Sequence, residues 1–310
     1  MMTELILFVI YISIFLAGMA VLRIGLFNLS GKSMTAFLSK VTNTPPKGFI
    51  VGALITGLLQ SSSAVMVMTV GLVSAGSLTF PQTIGIILGS NVGSTFTTEF
   101  MTFSVEKWIV PGVVAGALLW FVPKVVCKSI GTSIIGLSAI FAAMNGFKQL
   151  AGPISAFPFI QNLIHSMEHY TLLAVLTGIA VTAIIHSSSV TIGISMSFLS
   201  SDELSVYAAI AMMLGSNIGT CITGYMASIG SGEEAKFTAY AHIWLNVLGV
   251  FAFIPLIHQL EGLAAYFTED KAKQLAHASV LFNIITSIIV LPFSRQFVRF
   301  ILIVHKRLKA

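Results

Sequence analysis

Apolar runs separated by short polar breaks occupy residues 4–27, 48–75, 78–98, 108–123, 129–148, 171–200, 204–229, 237–257 and 275–304. Each has the length of a helix, and roughly 20 apolar residues suffice to cross the hydrocarbon of a bilayer in that form. The run from Gly48 to Thr98 holds 51 residues without one Asp, Glu, Lys, Arg or His. That exceeds what one span needs, so the pattern predicts a broken segment, a re-entrant helical hairpin followed by a full span. Such breaks are tolerated at membrane depth only where protein or a watery cavity lines them. Composition agrees with this reading: 56% of the 310 residues are hydrophobic and 9% charged, against about 25% charged in soluble domains. The expectation is an all-α, polytopic protein of the cell membrane, with the lipid bilayer as its surroundings and no call for nucleic acid. Leu5–Leu22 follows Glu4 rather than a basic stretch, which favours a retained first helix over a cleaved signal. Cys127 and Cys221 are too far apart in sequence and setting to suggest a disulfide framework or a thiolate metal site.

The polar positions carry a second pattern. Gln60-Ser61-Ser62-Ser63, followed by Gly89-Ser90-Asn91-Val92-Gly93, returns 126 residues on as His186-Ser187-Ser188-Ser189 and Gly215-Ser216-Asn217-Ile218-Gly219. Gly52 and Gly178, Thr56 and Thr182, Leu88 and Leu214, and Thr97 and Thr223 match at the same offset. The chain is internally duplicated. Polar serines, asparagines and glycines are kept while the apolar residues between them have drifted, the reverse of what packing alone would retain.

Charge placement then orients the copies. Lys32, Lys40 and Lys47 share one break, Lys124 and Lys128 another, and Arg295, Arg299, Lys306, Arg307 and Lys309 make the C-terminal end basic. Placing these in the cytoplasm by the positive-inside rule sends residues 4–27 inward and residues 129–148 outward, so the two copies are inverted relative to each other. Residues 48–98 then make one net crossing outward, 108–123 return, and Lys107, Lys148, Lys271 and Lys273 fall outside. The organisation expected is a first inverted repeat over 1–128, a second over 129–260, and a C-terminal transmembrane helix with a basic cytoplasmic tail over 261–310, each repeat containing a re-entrant or broken helical segment.

A half-helix beginning at the serines would present free N–H groups and the positive end of its dipole to whatever fills the break, which is an anion site. Two such half-helices entering from opposite faces would clamp one tetrahedral oxyanion near the midplane. That makes Gln60, Ser61, Ser62, Ser63, His186, Ser187, Ser188 and Ser189 the candidate substrate ligands. The competing reading is close packing and hydrogen bonding between helices through small hydroxylated residues, which duplication of the whole pattern disfavours. Asn91 and Asn217, with Thr95 and Thr220 one turn on, offer hard oxygen ligands of the kind sodium takes, or else line the same cavity. Carbonyls freed where Gly89, Gly93, Gly215 and Gly219 loosen the helix would add to them; interhelical bonding is an equal competitor there. His242 and Asn246 lie one turn apart and read better as interhelical partners. No carboxylate falls inside the repeated segments, Asp202 and Glu203 reading as a turn, which disfavours proton coupling.

These motifs resemble those of the sodium/phosphate cotransporter family, of the bacterial symporter type without the C-terminal regulatory domain. Its hallmark is a pair of inverted repeats, each with a Gln-Ser-Ser-Ser motif and a Gly-x-Asn-Ile-Gly-Thr element, and Phe15-Leu16-Ala17-Gly18-Met19 extends the likeness into the first helix. The resemblance implies a secondary transporter, not an enzyme, that couples sodium ions to inorganic phosphate and has no cofactor. His186 departs from the family's Gln, and the first copy reads Val92-Gly93-Ser94 where the family has Ile-Gly-Thr. A transport-inactive scaffold or phosphate sensor, or a sodium-coupled carrier of another oxyanion, are the alternatives.

Overall fold

The computed structural model describes residues 2–30, 44–103 and 106–307, and every regular element among them is helical. Lys32, Lys40 and Lys309 of the basic regions lie outside the described residues. Met2–Leu29, Val125–Ser155, Val206–Ser228, Glu233–Phe267 and Lys271–His305 are each long and apolar enough to cross a membrane. The chain is a multi-pass membrane protein.

Helix α1 (Met2–Ser30) is followed, beyond the undescribed stretch, by α2 (Pro45–Leu59) and α3 (Ser62–Ser74), which meet at a two-residue break. Prolines in the first turn start α2, where their missing N–H groups would be unpaired anyway. After α3 comes α4 (Phe80–Phe100), opened by a capping box in which the Gln82 side chain accepts from the Thr79 N–H at 2.8 Å. Next are α5 (Ile109–Phe121), α6 (Val125–Ser155) and α7 (Pro158–His169). The break recurs between α8 (Thr171–Ile185) and α9 (Ser188–Ser200), ahead of α10 (Val206–Ser228). Pro255 and Pro292 sit in 3-10 turns that divide α11 (Glu233–Phe253) from α12 (Ile257–Phe267) and α13 (Lys271–Val290) from α14 (Ser294–Arg307). The run expected at 275–304 is therefore two helices, because proline cannot donate within the ladder.

Contacts set the helix directions. On α4, Gly85 faces the Pro45 carbonyl, Gly89 that of Phe49 and Gly93 that of Ala53, so α2 and α4 run parallel with α2 ending beside the end of α4. The chain must double back through α3 to reach the start of α4. Residues 45–74 are thus a hairpin whose tip is Gln60–Ser61. The second copy does the same: Thr171 bonds Tyr207 at 2.6 Å, Gly215 faces Val175 and Gly219 faces Ile179, which puts the second tip at His186–Ser187.

Helices α1 and α6 pack with residue numbers running in opposite order, Tyr11 on Gly146, Gly18 on Gly136 and Gly25 on Ser129 and Ser133. Each hairpin's second limb also leans on the other copy: Met66 of α3 reaches Gly224 of α10, and Gly193 of α9 lies between Phe15 of α1 and Met101. One difference from the sequence pattern concerns residues 108–123. Only Ile109–Phe121 is α-helical, about 20 Å at 1.5 Å per residue, short of the roughly 30 Å hydrocarbon thickness. At the end of α9 away from its serines, Lys148 pairs with Glu106 at 3.8 Å and Lys271 with Asp202 at 2.5 Å around a recess of about 360 Å³.

Candidate functional site

Both tips are built alike. Leu59 ends α2, Gln60 turns into the left-handed region at φ 51, and Ser61 is extended at φ −160 before α3 begins at Ser62. In the second copy His186 has φ 59 and Ser187 φ −150 before Ser188. Left-handed backbone at a non-glycine residue is unfavourable by about 1–2 kcal/mol, and such strain persists where the surroundings over-determine it. Ser61 caps α3 by accepting from the Ala64 N–H at 3.2 Å, and Ser187 caps α9 by accepting from Val190 at 3.4 Å. A capping serine takes extended backbone, and the residue before it here carries the left-handed turn that ends the preceding helix.

The first serine of each triplet is therefore the cap. The second and third occupy the first helical turn, whose amides have no acceptor within the helix. Gln60–Ser63 and His186–Ser189 all line one cavity of about 610 Å³, joined by Ser94 and Thr97 of α4, Thr223 of α10, and Leu16, Met19, Ala20 and Arg23 of α1. No Asp or Glu is among the described lining residues. Two helix N-termini and six serine hydroxyls around a space without carboxylates make a setting for an anion.

The tips differ in one respect. Gln60 is buried, accepts from the Thr97 hydroxyl at 2.7 Å and donates to the Gly57 carbonyl. His186 is exposed, and the hydroxyl of Thr223, the match of Thr97, is buried without a partner. His186→Gln is therefore expected to satisfy Thr223 and to stabilise the protein by about 1 kcal/mol, the net worth of an ordinary hydrogen bond. Gln60→His is expected to cost about 1–3 kcal/mol by leaving Thr97 unpaired in the interior. Thermal unfolding of the purified protein in detergent measures both, and equal and small shifts for the two substitutions would contradict the account.

Asn91, Thr95, Asn217 and Thr220 lie outside this lining. Asn91 donates to the Asn246 side-chain oxygen of α11 at 3.2 Å, and Asn217 donates to the Met213 carbonyl at 2.9 Å. The hydroxyls of Thr95 and Thr220 are bonded to Val92 and Ser216 carbonyls. Nor do the glycines free backbone carbonyls, because α4 and α10 are unbroken through Gly89–Gly93 and Gly215–Gly219. They remove side chains so that α2 and α8 can approach. His242 and Asn246 are buried, and Asn246 also donates to Cys221 at 3.3 Å, knitting α4, α10 and α11 together. Asp202 and Glu203 sit in the turn between α9 and α10.

Arg23 is a lining residue that the motifs do not reveal. Its Nε donates to the carbonyl oxygen of Leu59, the last residue of α2, at 3.4 Å. Among the described residues no carboxylate pairs with it. The available signal is its isolation as the single charged residue between Glu4 and Lys32, since an ionisable group within a span is a functional candidate by default.

A family model described as Na+/Pi-cotransporter matches residues 14–149 and residues 155–290. The chain is 43% identical over 300 residues to uncharacterized protein YqeW of Bacillus subtilis (strain 168), covering 97% of this chain and 98% of that protein. It is 22% identical over 285 residues to putative inorganic phosphate export protein YjbB of Escherichia coli (strain K12), covering 91% of this chain and 52% of that protein. It is 32% identical over 161 residues to sodium-dependent phosphate transport protein 2B of Homo sapiens, covering 49% of this chain and 22% of that protein. The chain thus spans about half the length of the Escherichia coli relative. No solved structure matches it.

Proposed function

The chain belongs to the Na+/Pi-cotransporter family, and on that premise we propose that it is a secondary transporter coupling sodium ions to the movement of inorganic phosphate. The phosphate sits between the tips of the two hairpins, on the first-turn amides and hydroxyls of Ser61–Ser63 and Ser187–Ser189, with Gln60 and His186 beside it. The observation that carries this reading is that both serine triplets begin half-helices and line one cavity free of carboxylates. Serine suits a carrier, donating through N–H and O–H without adding charge that would hold the anion too tightly. The opposite residue order of α1 and α6 supports inverted repeats in the membrane, with residues 1–128 and 129–260 as the two copies. Exchange between faces then follows from rocking one copy against the other around the shared site. Asn91, Thr95, Asn217 and Thr220 remain the proposed oxygen donors for sodium, their present hydrogen bonds using amide and hydroxyl hydrogens and leaving oxygen lone pairs to a cation.

Proteoliposomes containing the purified chain are expected to move labelled phosphate along an imposed sodium gradient, inward or outward according to the gradient's sign. Replacing sodium by potassium on both faces is expected to abolish the movement. Flux that is indifferent to the exchange would rule out the coupling, and phosphate binding without flux would favour a sensor. The preloaded, outward-gradient arm bears on export, the role that the Escherichia coli relative's name carries.

A further inference from the structure

We propose that Arg23 is the selectivity residue of the serine cavity, a fixed cation whose guanidinium binds the oxyanion directly and so admits anions and rejects neutral ligands of similar shape. The inference rests on the transport reading above and adds a contact to the same site. Hydroxyls and amides donate hydrogen bonds to any oxygen, whether of a carbonyl, an alcohol or an anion, and the helix N-termini add only partial positive charge, so the serine triplets favour an anion without carrying a full charge to select it. Among the described lining residues, Arg23 brings the only permanent charge. A half-buried guanidinium without a counter-ion is costly, and a ligand carrying the opposite charge is what would offset it.

Its placement fits that role. The Nε–H is engaged with the carbonyl of Leu59 at 3.4 Å, which pins the guanidinium one residue before Gln60 and three before Ser62. Of the five N–H donors that a guanidinium carries, four remain on its two terminal nitrogens. This planar fork matches a pair of oxygens on phosphate, arsenate or sulfate in a way that the point charge of lysine does not. The charge enters from one copy alone, because the position 126 residues on is Gln149, which is exposed and outside the lining.

The test is equilibrium binding of labelled inorganic phosphate to the purified full chain, beside uptake in proteoliposomes, for the wild type, Arg23→Gln and Arg23→Lys. Arg23→Gln is expected to weaken phosphate binding on the order of ten- to a hundredfold, the effect of losing a hydrogen bond to a charged partner. Arg23→Lys is expected to fall between, keeping the charge and losing the fork. Binding by Arg23→Gln within about twofold of wild type, less than the loss of one charge-assisted bond, would overturn the proposal; a melting-temperature drop with unchanged affinity would do so too, by reducing Arg23 to a cap on α2. Should Arg23→Gln not yield folded protein, Arg23→Lys decides alone, a phosphate affinity equal to wild type counting against the fork. Wild-type protein that binds phosphate and carries none defeats transport and not Arg23, whose contact is read from binding.

Discussion

Replacing Ser62 and Ser188 together by alanine is expected to lower phosphate affinity by at least about a hundredfold, two hydrogen bonds to a charged ligand being worth about 1.5–3 kcal/mol each. Phosphate uptake at low substrate is expected to fall with it. The fold is expected to survive, because both residues occupy the first helical position and the caps on α3 and α9 come from Ser61 and Ser187 instead. Alanine is also the better helix former. The neighbouring substitutions give the contrast: Ser61→Ala and Ser187→Ala each remove a cap bond and should cost about 1 kcal/mol of stability, a shift seen in thermal unfolding. Uptake by the Ser62→Ala, Ser188→Ala double variant at the wild-type level, in protein of wild-type stability, would remove the serines from the site.

How far the site could be read beforehand depended on whether a residue's role is local or set by its neighbours. The helix breaks at Gln60 and His186 were legible only through the serines that follow them, because neither break carries the glycine that usually marks left-handed backbone. A capping serine acts on amides two or three residues ahead, and that interaction is written in adjacent sequence. The duplication was likewise plain at a fixed offset. Asn91 and Asn217 show the opposite case. Both read as sodium ligands because they are polar in apolar runs, and their hydrogen-bond partners are set by α11 in one copy and by the preceding turn of α10 in the other, which no spacing encodes. Arg23 was hidden for a related reason: its value comes from Leu59, 36 residues away, and from a cavity that exists only once both hairpins have folded. The different fates of Gln60 and His186 belong here too, since a Gln-to-His difference is visible in sequence but the orphaned hydroxyl of Thr223 is not.

The glycines of the repeated element support the largest structural prediction. A Cβ added at Gly89 would lie 1.9 Å from the Phe49 carbonyl oxygen, and one at Gly215 would lie 2.0 Å from that of Val175. Both obstacles are helical backbone, which no rotamer change can move aside. Van der Waals contact needs more than 3 Å, so each substitution forces α2 from α4, or α8 from α10, along the seam that holds a hairpin tip at the cavity. Close approach through small residues is what associates helices in lipid, where the hydrophobic effect offers no drive. Gly89→Ala and Gly215→Ala are each expected to destabilise by 3 kcal/mol or more, the upper end of overpacking effects in close-packed interiors being about 3 kcal/mol, and the pair together to abolish recovery of folded protein. Gly71→Ala provides the internal control. It lies within α3 with nothing inside 4 Å of the added methyl, and replacing a helical glycine in open space should stabilise by roughly 0.5–1 kcal/mol. Size-exclusion profiles and melting temperatures of the variants in detergent measure these effects. If Gly89→Ala and Gly215→Ala melted no lower than Gly71→Ala, the parallel hairpin-to-span packing, and with it the convergence of the two tips on one cavity, would be wrong.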